Sequence, residues 1–356
     1  MKSRVEHIDI AKGISITLVA MFHSKLRIYC PEIVDPMSLF RMPLFFLLSG
    51  IFFSWTANPK VFLLKKSEAL LKPYFSVLLL LLFTSMVAGE HGLISQFAGI
   101  LYGNADTIRW YPMWFLPHLF AVYVFAYILF RYIGLAQLPP LSIIAIISGF
   151  LVIGCIWTDY FWNKNIAFFS QSFTIPGLPF SADIILVSSC YFILGHLLKA
   201  HLMNFTPNLW ILALSIALFV FIVQTTDAHI DLNRRVYSAP IYATLGALSG
   251  IYMIISLSYA LCQKHWLSFI PLRIGQASLY ILIFHDFIMY KLFSYFSANV
   301  VEKSNLVLLA FVCLALAVFI PVAIKWAVER NDLLSLAFLP FKSNKLLQRM
   351  GFITNS

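Results

Sequence analysis

HIDIAKGISITLVAMFHS, residues 7–24, is long and apolar enough to cross a bilayer, yet it holds Asp9, Lys12 and His23. A spanning helix needs about 20 mainly apolar residues, and an ionisable group inside one is costly unless it has a partner or a water-filled cavity. The segment carries charge within its apolar run and no small-residue cleavage site follows it, so it is expected to stay as a mature helix. At about 100° per residue, the eleven-residue separation of Lys12 and His23 brings them within roughly 20° of one face, about 16 Å apart along the axis. Asp9 lies three residues before Lys12 and can pair with it. Two readings are open: Lys12 snorkels to one headgroup layer while His23 sits at the other interface, or one face presents a cation and an imidazole to a common channel at different depths.

The apolar pattern recurs along the chain. Of 356 residues, 61% are apolar and 11% charged, with a mean hydropathy of +0.86. A soluble protein of this length needs far more polar surface. Ten spans are expected, at 8–27, 38–57, 74–89, 111–131, 141–157, 183–199, 208–224, 239–262, 276–295 and 306–327. An aromatic-rich stretch between the fifth and sixth is a candidate re-entrant segment. The expected fold is thus an all-α integral membrane protein, about ten transmembrane helices in one bundle. The net charge of +10 lies mainly in loops flanking apolar runs, which is a topology signal rather than a nucleic-acid footprint. With the N-terminus inside, 15 Lys and Arg are cytoplasmic, including Lys2, Arg4, Lys342, Lys345 and Arg349, against nine on the outer side. Both termini are therefore expected in the cytoplasm. Residues 1–330 are read as the membrane domain and 331–356 as a short cytoplasmic tail. The five cysteines show no CxxC and no metal-type spacing, so no metal is expected, and nothing in the sequence supports a disulfide between Cys30 and Cys155.

Three further spans contain residues that need explaining. FRMPLFFLLSGIFF (40–53) holds Pro43 and the pair Ser49-Gly50, which lets a neighbouring backbone or a ligand come close; ordinary helix packing accounts for it equally. YPMWFLPHLF (111–120) sets Trp114 and His118 in a proline-rich helix start, read either as a distorted functional segment or as an interfacial aromatic belt. SLYILIFHDF (278–287) carries His285 and Asp286 deep in an apolar run, about 100° apart around the helix, with a structural hydrogen bond as the plain alternative for His285. Between the second and third spans, Lys65, Lys66 and Lys72 satisfy the positive-inside rule and also suit anionic phosphates.

Taken in order, IDIAKGISITLVAMFHS, RMPLFFLLSGIFF, LLKKSEALLKPYF, MWFLPHLF, LPFSADIILVSSCYFILGHLLK, NRRVYSAPIYATLGALSGI and FIPLRIGQASLYILIFHDF cover nearly the whole chain. Together they resemble the membrane acyltransferase 3 family, in particular its branch similar to fucose 4-O-acetylases and enterobacterial common antigen O-acetyltransferases. The resemblance implies a ten-helix fold in a bacterial inner membrane and an acyl-CoA donor entering from the cytoplasm. It also implies a first-helix signature of Arg or Lys, ten spacers, then His, which here falls on Lys12 and His23. Arg is the commoner residue at the first of these positions, and Lys12 lacks its bidentate fork. His118 matches no fixed identity in that pattern. Some members add an extracytoplasmic hydrolase-like domain; its absence here implies direct transfer within the membrane part.

The expected activity is transfer of an acetyl group from cytoplasmic acetyl-CoA to a hydroxyl of a cell-surface glycan or lipid-linked sugar on the far side. Acetyl-CoA is a donor substrate and no permanently bound cofactor is expected. Membrane lipids are the other partners, and nucleic acid is not one. His23 is the expected general base, or else the carrier of the acetyl group in a two-step relay. Asp9 is grouped with it because it holds Lys12. Lys12, Lys65, Lys66 and Lys72 are expected at the donor, and Ser49, Gly50, Trp114, His118 and His285 along the acceptor side or tunnel. The competing class is a sugar-lipid flippase or secondary transporter, which favours inverted repeats and paired broken helices; neither is evident.

Overall fold

The computed structural model describes residues 5–168, 171–298 and 302–341. In chain order the helices are α1 (Glu6–His23), α2 (Ser38–Ile51), α3 (Pro59–Val87), α4 (Leu93–Tyr102), α5 (Tyr111–Arg131), α6 (Pro140–Phe161), α7 (Ile185–Leu197), α8 (Leu209–Thr225), α9 (Pro240–Cys262), α10 (His265–Gln276), α11 (Ser278–Ser297), α12 (Lys303–Val328) and α13 (Asp332–Phe338). Two antiparallel hairpins interrupt them: β1 (Trp162–Phe168) with β2 (Gln171–Pro176), and β3 (His229–Asp231) with β4 (Val236–Ser238).

A helix stands at each of the ten expected positions, and the chain is an all-α, multi-pass membrane protein. Among the described residues, eight helical segments are long and apolar enough to cross a bilayer. The two expected spans outside that set are α1, which carries Glu6, Asp9 and Lys12, and α8, which has 17 residues. Lys2, Arg4, Lys342, Lys345 and Arg349, which weigh in the expected orientation, lie outside the described residues, as does the tail beyond residue 341.

Four stretches differ from the sequence reading. The candidate re-entrant segment is the β1–β2 hairpin, whose strands satisfy each other's backbone groups; a register shift between Trp162 and Lys164 coincides with Asn163 at φ 51°. Residues 265–276, which lie between the expected spans 239–262 and 276–295, form α10. The third span begins at Pro59 and continues through a π-helical turn, Ser67–Leu71, so the lysines belong to the helix rather than to a loop before it. Part of the expected tail is α13, with Ser76 Oγ donating to the Ala337 carbonyl (3.3 Å) and Lys72 Nζ to that of Leu339. All five cysteines are unbridged.

The chain forms two compact units. One comprises residues 1–52 and 191–325, the other 53–190 and 326–356. In the first, α1 packs chiefly on α10 and also on α9, α2 and α11. Paired glycines bring helices close. A Cβ on Gly13 would strike the Pro271 carbonyl, and one on Gly275 the Asp9 carbonyl. Gly50 and Gly195 do the same for α2 and α7, meeting the carbonyls of Phe192 and Leu47. Small residues serve this purpose in membranes because lipid is as apolar as a leucine side chain, so close backbone packing must drive association.

In the second unit α5 is the buried element. Tyr127 donates to the Ala57 carbonyl (2.7 Å) and stacks on Phe62, while Tyr74 donates to the Ile100 carbonyl (2.7 Å). These hydroxyls give large apolar rings the partner that burial demands.

Candidate active site

Along α1 two polar groups stand at different depths. Near the start, Lys12 Nζ lies 3.3 Å from Asp9 Oδ1, with side-chain exposures of 28% and 11%, and 4.1 Å above the ring of Phe52. His7 Nε2, 2.8 Å from the Leu202 carbonyl, fixes the helix entry. The Gly13–Gly275 approach sits directly beside the ion pair and holds this part of α1 against α10. The helix then runs unbroken to His23, its last residue, so the separation along the axis is about 16 Å.

His23 is half-buried, and its ring faces that of His285 with centroids 5.4 Å apart. His285 is wholly buried. Its Nδ1 lies 2.7 Å from the Ile281 carbonyl and 3.1 Å from that of Leu282. Carbonyl oxygens only accept, so Nδ1 carries the proton and Nε2 presents a lone pair. Among the described residues Nε2 has no hydrogen-bond partner. Asp286, turned about 100° further round α11, is half-buried and points elsewhere.

Two guanidinium groups flank the same end of α1. Arg41, 4% exposed, places its Cζ 3.0 Å from the Phe22 ring centroid, and Arg27 places its own at 3.8 Å. Arg27 Nε also bonds Asp35 Oδ1 at 3.0 Å. Both positive charges and His285 bear electrostatically on His23. Next to Arg41 in α2, buried Ser38 meets His229 Nδ1 of β3 at 2.9 Å. Burial holds His229 below the usual imidazole range; Arg41 and Arg27 push the same way, against Asp231 and Asp35.

The sequence reading counted Arg27 and Arg41 among outer-side topology charges and gave His229 no role. Arg41 was legible by the same rule that singled out Lys12, an ionisable residue in an apolar run. His229 was not, because a three-residue strand has no periodicity to place it.

The other expected residues are placed as follows. The space beside Gly50 is filled by the Phe192 carbonyl, and Ser49 Oγ donates to the Phe45 carbonyl at 2.8 Å, the helix-packing alternative for this pair. Lys65, Lys66, Lys72, Trp114 and His118 belong to the second unit. Lys65 is exposed, Lys66 lies 3.4 Å above the Tyr123 ring, and Lys72 lies 3.9 Å above that of Phe341. His118 is fully buried: Nδ1 donates to the Phe180 carbonyl (3.2 Å) and Nε2 meets Ser188 Oγ (2.8 Å), with Trp114 packed at 5.6 Å between centroids. It thereby anchors a turn in which Phe180 and Ser181 both have positive φ, 55° and 51°.

An imidazole at one end of α1 and an ion-paired lysine near the other are the ionisable groups that the first span carries within a multi-pass membrane protein. The sequence profile of the acyltransferase 3 family, described as an acyltransferase domain, matches residues 5–326. The chain belongs to that family and is a membrane acyltransferase. Comparison with curated proteins and with solved structures returns no match.

Proposed function

We propose that this protein is an inner-membrane O-acetyltransferase that takes the acetyl group of cytoplasmic acetyl-CoA and places it on a hydroxyl of a surface glycan or lipid-linked sugar at the extracytoplasmic side. The observation that carries this reading is the arrangement of α1: a half-buried imidazole beside Arg41 and His285 at one end, and the Lys12–Asp9 pair about 16 Å back along the same helix.

The physical problem is to bring a thioester to the far side without moving the charged nucleotide through apolar protein. Lys12 meets a phosphate of the donor near the cytoplasmic face. The thin pantetheine arm runs along α1, and the acetyl carbonyl stops at His23. His23 removes the proton of the sugar hydroxyl as its oxygen attacks the carbonyl carbon. A C–O bond forms, and the tetrahedral oxyanion develops where Arg41 supplies positive field. Its collapse breaks the C–S bond, and the proton passes from His23 to the departing CoA sulfur. The family membership supports this reading over a flippase or transporter.

The test is His23→Ala, scored by O-acetyl esters on isolated surface glycans by mass spectrometry, with insertion and folding verified in the same cells. Loss of the acetyl mass is expected. Persistent acetylation by correctly inserted protein removes His23 from the chemistry.

A further inference from the structure

We infer that His285 is a positioning residue for His23: its Nε2 accepts the N–H that His23 does not use, and so keeps the opposite ring nitrogen bare for the acceptor hydroxyl. The inference rests on the reading of His23 as base and adds the partner that such a base needs.

A lone imidazole in a membrane is a poor base by construction. It has two tautomers, and in one of them the nitrogen facing the substrate is already protonated. An acceptor behind the ring selects the other tautomer, holds the ring still, and shares the second proton when the imidazolium forms. In soluble enzymes a carboxylate commonly takes this place; within an apolar span a neutral acceptor avoids burying a second charge.

The geometry meets each requirement. His285 is 0% exposed on α11, which packs on α1. Its bonds to the Ile281 and Leu282 carbonyls consume Nδ1–H, leaving Nε2 as an acceptor with no partner of its own. A buried polar atom left unpaired costs about 1–3 kcal/mol, which argues that Nε2 is kept for an N–H close by. The neighbouring ring is His23. Ring nitrogens lie about 1.1 Å from their centroid, so the 5.4 Å separation leaves room for the two nitrogens to meet within hydrogen-bond reach after a modest ring rotation. Arg41 and Arg27, which bear electrostatically on His23, are cations that cannot accept a proton. His285 Nε2, beside the His23 ring, can.

During transfer the atoms balance simply. His23 takes the hydroxyl proton on its bare nitrogen while its other N–H bonds to His285 Nε2. The same proton then leaves with the CoA thiol, and the pair returns to its starting state.

The experiment compares His285→Phe, His285→Asn, His285→Gln and His23→Ala in purified, reconstituted protein, measuring kcat and the KM for acetyl-CoA. Phe keeps the ring's bulk without an acceptor, Asn restores a group only near Nδ1, and Gln carries an acceptor out to the position of Nε2. Phe and Asn are expected to lower kcat about 10²-fold with KM for the donor unchanged, and Gln to recover most of the loss. Unchanged kcat in the Phe variant, with His23→Ala inactive, overturns the role of His285 alone. Activity in His23→Ala overturns the base assignment and this inference with it. Equal losses in Phe, Asn and Gln at full thermal stability show that Nε2 acceptance is not what matters and also overturn it.

Discussion

Replacing Lys12 by Met separates the two things its charge can do, holding Asp9 and holding a phosphate. At 3.3 Å and an effective dielectric near 20, the Lys12–Asp9 attraction is about 5 kcal/mol before its costs. Lys12 is 28% exposed, so solvent screening, desolvation and side-chain ordering offset most of it, and a net of about 1–2 kcal/mol remains. Lys12→Met alone also takes this cation from a carboxylate that is 8% exposed, so the single variant is expected to lose somewhat more, about 2–3 kcal/mol. Adding Asp9→Asn removes the buried negative charge and is expected to recover most of that stability. Donor binding does not recover. A charge-assisted bond to phosphate is worth about 1.5–3 kcal/mol, so the KM for acetyl-CoA is expected to rise roughly tenfold to a hundredfold in both the single and the double variant. The assays are thermal unfolding in detergent and initial rates of acetyl transfer by reconstituted protein. A double variant with restored stability and a wild-type KM refutes the reasoning, since Lys12 then does not hold the donor.

Gly13→Ala pushes a methyl group onto the Pro271 carbonyl and is expected to cost about 1–3 kcal/mol; displacing α1 by about 1 Å lowers transfer by up to 10²-fold. Gly149→Ala, where a Cβ meets nothing within 4 Å, is the neutral control in the same unfolding and rate assays. Arg41→Met, at a buried guanidinium beside His23, is expected to lower kcat about 10²-fold with little change in donor KM, read by the same initial rates; an unchanged kcat removes Arg41 from oxyanion stabilisation. Burial holds the folded His229 below the ordinary imidazole pKa, so the unfolded chain takes up a proton first as pH falls. The β3–β4 hairpin is therefore fully stabilised above about pH 6.5 and weakens on acidification below it, which hydrogen exchange of residues 229–238 measures; His229→Gln is expected to flatten that dependence.

Much of the architecture was legible without coordinates. Apolar runs long enough for a bilayer can hardly be anything but helices, because lipid offers backbone groups no partner, and helices stand at all ten expected positions. The pairing of Asp9 with Lys12 and their shared face with His23 followed from helical periodicity alone, which is local and does not depend on what the helix packs against. Tertiary structure decided the rest. That His285 rather than Asp286 faces His23, that Arg41 and Arg27 converge on Phe22, and that Gly50 receives a carbonyl all depend on helix rotation and approach. Those are set by contacts between segments far apart in the chain, here residues 23 and 285. α10 and the two hairpins escaped for a related reason. They are short, lack a long apolar period, and gain their stability from the helices and strands they lie against rather than from their own sequence.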